Sequence, residues 1–225
     1  MKPAYFIVGT DTGAGKTLVT TALLHGFAAR GERVAGLKPV AAGCEEFEGQ
    51  RRCDDSERLR QAGNVILAPA IRTPYALSEA IAPHLAAERE SRTIEAAVIT
   101  AAVDEARRRC DRVLIEGVGG FRVPLSPSFD TADLAVQLGL PLILVVGMRL
   151  GCINQTLLTL EAITARRLIL AGWVASQPRP AMRAFEDNLA SLRARLDAPL
   201  LGCLRYRRRI DPAAAAAGLR LDLLR

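Results

Sequence analysis

A glycine-rich turn near the start of the chain, GTDTGAGKT at residues 9–17, constrains the fold more than any other stretch. The apolar segment AYFIVG at residues 4–9 before it predicts a β-strand, and residues 16–29 after it have the composition of an α-helix. This order of strand, glycine-rich loop and helix is typical of phosphate-binding loops, whose backbone N–H groups and helix N-terminus converge on phosphate oxygens.

The spacing of this loop departs from the usual pattern G-x-x-x-x-G-K-[ST] by one residue. That pattern would place its first glycine at position 10, which is Thr10, whereas the glycine is Gly9. A glycine-rich turn without a ligand is the alternative interpretation, but the direct opening of a helix by Gly-Lys-Thr favours phosphate binding. We expect two glycines to admit the phosphates, a lysine to neutralise them and a hydroxyl to hold Mg²⁺: Gly13, Gly15, Lys16 and Thr17.

Strand-like and helix-like segments alternate along the remaining chain, and the strand-like segments are continuously apolar. The predicted strands cover residues 4–9, 33–40, 112–117, 141–147, 170–175 and 199–204. The predicted helices cover residues 16–29, 55–62, 93–109, 131–138, 152–167 and 183–196, and residues 45–52 form a polar loop. Such alternation predicts a single α/β domain over residues 1–225, similar to P-loop NTPases, with a mostly parallel sheet and helices on both faces.

Three charged side chains follow predicted strands or begin a predicted helix, at the edge where ligands bind in such sheets. Glu116 closes the apolar strand RVLIEG, and its carboxylate could bind Mg²⁺ directly or through water. Asp55 begins a helix and is an equally good helix cap, as is Asp54. Lys38 in VAGLKPV could neutralise charge that develops between a nucleotide and its acceptor, the alternative being a solvated strand end.

A second strand-to-helix junction is MRLGCINQT at residues 148–156. Backbone N–H groups at the start of that helix could bind a carboxylate or a phosphate. An ordinary helix start explains the same pattern equally well, and the residues by themselves leave both interpretations open.

The net charge of +6 raises nucleic-acid binding as an alternative function. Only Lys2, Lys16 and Lys38 of the 30 basic residues are lysines, so the positive charge reflects an arginine bias of the whole chain. The sequence shows no basic stripe interleaved with aromatic residues, and we therefore predict no nucleic-acid partner.

The cysteine, histidine and apolar patterns argue against several other classes of protein. Five cysteines form no C-x-x-C pair and are odd in number, which argues against a disulfide framework or a zinc cluster. Two histidines are too few for a histidine-based metal site. The longest apolar stretch, LGLPLILVVGM, is shorter than a membrane span, and the first residues lack a signal peptide, so we predict a cytoplasmic protein without membrane contact.

The sequence resembles the dethiobiotin synthetases over nearly its whole length. The matching stretches are GTDTGAGKT, GLKPVAAG, TPYALSEAIAPH, VLIEGVGGFRVPL, LPLILVVGMRLGCIN and LAGWVAS. The phosphate loop of that family has the same extra residue, so the resemblance explains the unusual spacing. It also implies a homodimer that uses ATP and Mg²⁺ to convert 7,8-diaminononanoate and CO2 (or bicarbonate) into dethiobiotin, ADP and phosphate.

The resemblance further implies roles for individual residues. The ATP-binding residues would be Gly13, Ala14, Gly15, Lys16, Thr17, Leu18, Asp55, Glu116, Gly117, Val118, Gly119, Ser176, Gln177, Arg205 and Tyr206. Mg²⁺ would be held by Thr17, Asp55 and Glu116, and the catalytic residues would be Lys38 and Lys16. The diamine and its carbamate would be bound by Thr12, Lys38, Ala42, Gly151, Cys152, Ile153 and Asn154, the last four supplied by the other subunit.

Two positions depart from the family pattern. Ala42 stands where a serine is common in K-P-V-A-S-G, which removes one hydrogen bond to the substrate or leaves it to water. Ser176 and Gln177 stand where asparagine is usual for binding adenine, so we expect weaker discrimination of ATP from other nucleoside triphosphates. A partition-type ATPase is the alternative function, but such proteins carry an extra lysine early in the loop, and residues 9–15 contain none.

Overall fold

The computed structural model describes residues 2–224 and contains a central β-sheet with three small accessory sheets. The strands over these residues are β1 (Ala4–Gly9), β2 (Val34–Leu37), β3 (Val40–Ala42), β4 (Glu45–Phe47), β5 (Gln50–Arg52), β6 (Tyr75–Leu77), β7 (Arg112–Glu116), β8 (Pro124–Ser126), β9 (Phe129–Asp130), β10 (Leu142–Gly147), β11 (Leu170–Ser176) and β12 (Leu200–Leu204).

Six of these strands form the central sheet in the order β12-β11-β10-β1-β7-β2, and every neighbouring pair is parallel. Strand β1 lies in the middle, where Ile7 is paired with Ile143 of β10 on one side and with Glu116 of β7 on the other. Because all six strands run the same way, the segments that follow them emerge at one edge of the sheet. The phosphate loop and Glu116 therefore lie next to each other.

Helices connect the strands, and their bounds agree with the predicted helices to within a few residues. They are α1 (Lys16–Ala28), α2 (Asp54–Ala62), α3 (Pro69–Arg72), α4 (Pro83–Arg89), α5 (Ala96–Arg109), α6 (Thr131–Leu138), α7 (Cys152–Ala165), α8 (Phe185–Arg193) and α9 (Pro212–Ala216), followed by a short 3-10 turn (Leu221–Leu223). Three of these helices, α3, α4 and α9, lie in segments for which the sequence predicted no helix.

The side chains of the central sheet pack into two apolar clusters, one on each face. In β1, Phe6 and Val8 belong to one cluster, whereas Tyr5 and Ile7 belong to the other. Full burial of each such large apolar side chain contributes roughly 1.5–3 kcal/mol of transfer free energy, so both faces need a cover of helices. This packing confirms the predicted α/β architecture with helices on both faces of a parallel sheet.

The predicted strand at residues 33–40 is divided in the structure. Strand β2 ends at Leu37, and β3 pairs with β6 in a separate two-stranded sheet. Pro39 has no backbone N–H to donate to a ladder, and the N–H of Lys38 donates to the carbonyl oxygen of Arg72 at 2.9 Å. The chain therefore leaves the central sheet at Lys38, which places this side chain at the edge that carries the phosphate loop.

The predicted polar loop at residues 45–52 is a β-hairpin of β4 and β5 instead. Glu45 is paired with Arg52 at its open end, so the neighbouring residues Cys44 and Cys53 come together. Their Cα atoms lie 4.4 Å apart, and the two side chains form a disulfide, whereas the other three cysteines are free. The cysteine pattern predicted no disulfide framework, and this single disulfide was missed because the hairpin that joins the two cysteines was not predicted.

Among the helices within residues 2–224, none has both the length and the apolar composition needed to cross a membrane.

Candidate nucleotide and substrate site

The phosphate loop connects the end of β1 to the start of α1, and Thr10 anchors it to the neighbouring strand β10. The backbone N–H of Thr10 donates to the carbonyl oxygen of Val145 at 3.1 Å, and its hydroxyl accepts from the N–H of Gly147 at 3.2 Å. A Cβ added to Gly147 would lie 3.1 Å from the Cα of Ala14, so the loop rests directly on the end of β10. The loop with its additional residue is thus anchored to β10 through Thr10.

Gly15 precedes the first residue of α1 and requires glycine for two reasons. Its φ of 97° lies in the left-handed region, and an added Cβ would lie 2.3 Å from the Oγ of Ser176. Among the described residues, no side chain accepts a hydrogen bond at this helix start. The first N–H groups of α1 are therefore open to an anionic ligand, as a phosphate site requires.

Lys16 is buried behind this loop, with 7% of its surface exposed. Its Nζ donates to the carbonyl oxygen of Asp11 at 3.2 Å and to that of Gly119. Burial, together with the positive charge of Lys38, lowers the pKa of Lys16 to about 8. An ammonium group held this way gains stability when anionic phosphates enter the loop, because their charge offsets the cost of its burial.

Oxygens from three different elements converge beside the first turn of α1. The hydroxyl oxygen of Thr17 lies 2.9 Å from the Oδ1 of Asp55 and 2.9 Å from the Oε1 of Glu116. A hydroxyl has one proton and donates to one of these carboxylates at a time. The second carboxylate oxygen of Glu116 is buried and has no hydrogen-bond partner within the described part of the chain.

Lys38 lies between these two carboxylates and balances one of their two negative charges. Its Nζ lies 2.6 Å from the Oε1 of Glu116 and 3.3 Å from the Oδ2 of Asp55. Burial alone would lower the pKa of Lys38, but the charges of Glu116 and Asp55 outweigh it and raise that pKa. Burial alone would likewise raise the pKa of Asp55, and the charge of Lys38 with the Thr17 hydrogen bond lowers it instead. Lys38 and Asp55 therefore both carry their charges at neutral pH.

The glycine-rich segment after β7 closes the site on the other side. The carbonyl oxygen of Gly117 accepts from the Nζ of Lys38 at 3.0 Å. Gly119 has a φ of 62°, and an added Cβ on Gly120 would lie 3.7 Å from the Cα of Asp11. This segment therefore packs on the phosphate loop, and the structure brings residues 117–119 next to the predicted phosphate-binding residues.

The residues predicted to contact adenine lie after β11 and β12, at the same edge of the sheet. Ser176 is buried against Gly15, and the side-chain amide of Gln177 donates to the carbonyl oxygen of Pro180 at 3.2 Å. Arg205 stacks on the aromatic ring of Phe185 with 3.5 Å between its guanidinium carbon and the ring centroid. Tyr206 is one of the exposed aromatic residues, so its ring is accessible to a ligand.

The residues predicted to bind the diamine occupy three separate elements. Thr12 is exposed in the phosphate loop, and Ala42 is half-buried at the end of β3, outside the central sheet. Gly151, with a φ of 91°, precedes α7, which no side chain caps within residues 2–224. The predicted residues around this helix start range from exposed to buried and are Gly151, Cys152, Ile153 and Asn154.

A polar cluster that was not predicted from the sequence joins the phosphate loop to the start of α7. The carboxylate of Asp11 forms an ion pair with Arg149 and accepts a hydrogen bond from the Nε2 of Gln155 at 3.2 Å. All three residues lie within the two motifs that the sequence analysis quoted, but their sequence separations of 138 and 144 residues concealed the contact.

A parallel sheet with a phosphate loop, a buried lysine behind it and a hydroxyl–carboxylate cluster defines a phosphate-loop nucleotide-binding protein. A family model described as an AAA domain matches residues 3–214. The ATP-dependent dethiobiotin synthetase BioD of Aromatoleum aromaticum is 51% identical over 218 residues, which covers 97% of this chain and 97% of that protein. The chain belongs to the dethiobiotin synthetase family.

Solved structures with little sequence similarity share the fold. A putative plasmid partition protein from Borrelia burgdorferi bound to AMPPNP aligns with a TM-score of 0.59 at 13% identity, covering 99% of this chain and 98% of that chain. FtsY from Thermotoga maritima aligns with a TM-score of 0.56 at 18% identity, covering 98% of this chain and 69% of that chain. FtsY from Elizabethkingia anophelis aligns with a TM-score of 0.54 at 13% identity, and this chain spans 65% of its length. These similarities concern the fold alone.

Proposed function

We propose that this protein is an ATP-dependent dethiobiotin synthetase. It carboxylates 7,8-diaminononanoate with CO2 and closes the product to dethiobiotin, with release of ADP and phosphate. The observation that carries this proposal is the 51% identity to a curated dethiobiotin synthetase over 97% of both chains. The convergence of Lys16, Lys38 and Glu116 beside a phosphate loop supports it, because phosphoryl transfer depends on positioning and on charge neutralisation.

The proposed reaction needs little proton transfer from the protein. One amine of the substrate takes up CO2 as a carbamate, and a carbamate oxygen then attacks the γ-phosphorus of ATP, expelling ADP. The second amine attacks the carbonyl carbon of the resulting carbamic–phosphoric anhydride, closes the cyclic urea and expels phosphate. In this scheme Lys16 binds the outer phosphates, and Lys38 neutralises charge between the phosphoryl group and the carbamate.

The residues present fit a magnesium ion. Mg²⁺ prefers oxygen ligands and is usually bound by one or two carboxylates together with substrate phosphates and water. Thr17, Asp55 and Glu116 provide such oxygens, and the orphaned, buried Oε2 of Glu116 is an acceptor that a cation would satisfy. When bound, Mg²⁺ would supply neutralisation of the negative charge on the phosphates. Within residues 2–224, no group of three or more His, Cys, Asp or Glu side chains offers an alternative metal site.

We further propose that the protein acts as a cytoplasmic homodimer, in which the start of α7 receives the substrate carboxylate for the site of the other subunit. Apolar side chains on and before α7 support a protein interface there, because Leu150 is 100% exposed and Leu158 is 57% exposed. The backbone N–H groups that follow Gly151 at the start of α7 have no side-chain cap and could bind a carboxylate. The nucleotide base would lie near Ser176, Gln177, Arg205 and Tyr206.

A coupled assay tests the proposed function directly. The purified protein is expected to hydrolyse ATP and form dethiobiotin only when 7,8-diaminononanoate and bicarbonate are both supplied, with one ADP released per ring closed. Duplex DNA in place of the diamine is expected to leave the ATPase rate at background. ATP turnover that responds to DNA, or that is independent of the diamine, would favour the partition-type alternative.

Base selectivity gives a second prediction. Ser176 is packed against Gly15, and the amide of Gln177 donates one hydrogen bond to a backbone carbonyl group, so part of the amide that could bind adenine is already engaged. We expect kcat/KM for CTP and GTP to lie within about tenfold of the value for ATP, since one lost base-specific interaction is worth about one power of ten. A preference for ATP well above this tenfold limit, measured as initial rates of dethiobiotin formation, would contradict the prediction.

A further inference from the structure

Asp11 makes more hydrogen bonds than its position in a glycine-rich turn requires. Its Oδ1 accepts from the backbone N–H of Thr12 at 2.7 Å, and its main-chain oxygen accepts from the Nζ of Lys16 at 3.2 Å. Its Oδ2 accepts from the Nε2 of Gln155 at 3.2 Å and is paired with the guanidinium of Arg149. One residue thus contacts the phosphate-binding lysine, the exposed Thr12 and the start of α7.

The ion pair of Asp11 contributes little to stability by itself. The side chain of Arg149 is 33% exposed and that of Asp11 is 43% exposed, and pairs of this kind are worth about 0–1 kcal/mol. Its effect is geometric, because both oxygens of the carboxylate are held by partners on different elements. This fixes the orientation of the carboxylate, and with it the backbone at residues 11–12.

The two partners of Asp11 lie on either side of the start of α7, which receives the substrate carboxylate in the proposed function. Arg149 lies two residues before Gly151, where the backbone turns into α7, and Gln155 lies one turn inside that helix. The N–H of Cys152 also donates to the carbonyl oxygen of Arg149 at 3.0 Å, so Arg149 is itself part of the turn that leads into α7. A shift of Arg149 therefore moves the N–H groups that begin α7.

We propose that Asp11 is a positioning residue that ties the phosphate loop to the start of α7 through Arg149 and Gln155, and thereby sets the affinity for the diamine. This inference rests on the proposed function, in which the start of α7 receives the substrate carboxylate. Displacement of a positioning group by about 1 Å can reduce a rate by about a hundredfold, so a weak ion pair is sufficient for a large kinetic effect. In the proposed homodimer the start of α7 serves the site of the other subunit. Because a substitution is present in both subunits, both sites of the dimer change in the same way.

The test is a double-mutant cycle of Asp11→Asn and Arg149→Gln in the full-length protein. Each single variant is expected to raise the KM for 7,8-diaminononanoate about tenfold, with the KM for ATP within about threefold of the wild type, and the double variant is expected to resemble either single variant. Arg149→Lys, which keeps the charge, is expected to recover part of the loss. The melting temperature should change by less than about 3 °C, since the pair is exposed.

Arg109→Gln is the matched control, because Arg109 pairs with Glu105 on the surface of α5 with similar exposure. It is expected to leave all kinetic constants at the wild-type values. Single variants with a wild-type KM for the diamine, effects that multiply in the double variant, or a loss of activity that only tracks a loss of folded protein would each overturn the inference. Wild-type protein that forms no dethiobiotin would instead contradict the proposed function.

Discussion

Lys38→Gln is expected to lower kcat for dethiobiotin formation by about a thousandfold, with the Kd for ATP within about threefold of the wild type. The ammonium of Lys38 is buried and lies 2.6 Å from Glu116 and 3.0 Å from the carbonyl oxygen of Gly117. It is therefore rigidly placed beside the position where the transferred phosphoryl group and the carbamate would meet. Charge that develops there would lose its neutralising partner, so the loss falls on kcat.

Glutamine is chosen because the buried Glu116 needs a partner. Lys38→Ala would leave this carboxylate without a counter-charge, and removing one member of a buried ion pair costs about 3–5 kcal/mol of folding free energy. Lys38→Gln keeps an amide donor near the carboxylate, so thermal unfolding of this variant should stay closer to the wild type. Initial rates at saturating substrates and equilibrium nucleotide binding provide the two measurements.

Lys2→Ala is the matched control for Lys38, since Lys2 is a lysine in a salt bridge with Asp111 and is 40% exposed. Its rates and nucleotide affinity are expected to equal those of the wild type. Lys38→Gln protein that is folded, binds ATP and retains wild-type kcat would refute the assigned role of Lys38 in catalysis.

Lys16→Ala is expected to weaken ATP binding by a hundredfold or more and to abolish ring closure, because charge-assisted hydrogen bonds to phosphate contribute about 1.5–3 kcal/mol each. Lys16 is the only lysine within the phosphate loop, and its Nζ is already directed by the carbonyl oxygens of Asp11 and Gly119. Equilibrium titration with a non-hydrolysable ATP analogue measures the affinity, and product formation measures the turnover.

The stability of Lys16→Ala separates a ligand role from a structural one. Burial and the positive charge of Lys38 lower the pKa of Lys16 to about 8 from 10.5, so at neutral pH the charged side chain destabilises the folded state relative to the unfolded one. Its removal should leave the melting temperature of the ligand-free protein equal to or above that of the wild type. Stabilisation by added nucleotide should disappear. A variant that binds ATP with wild-type affinity would contradict the phosphate-binding role.

The phosphate loop and the strand pattern could be predicted because each depends on neighbouring residues. The alternation of apolar segments with helices predicted the central sheet, and the loop sequence predicted where its ligand edge lies. The hairpin of β4 and β5 was missed, since its strands are three residues long and exposed, and with it the Cys44–Cys53 disulfide. The division of the second strand at Lys38 was missed although Pro39 marks it, because the pairing of β3 with the distant β6 is not visible along the chain.

The sequence by itself determined that this chain builds a phosphate loop on a parallel sheet, because loop spacing and apolar periodicity are local properties. Tertiary structure alone decided which distant side chains share the site. Thr17 meets Glu116 across 99 residues, and Asp11 meets Arg149 across 138. Parallel strands separated by helices bring such residues to one edge, and hydrogen-bond distances at that edge follow from the packing of both sheet faces, which no pattern along the chain records.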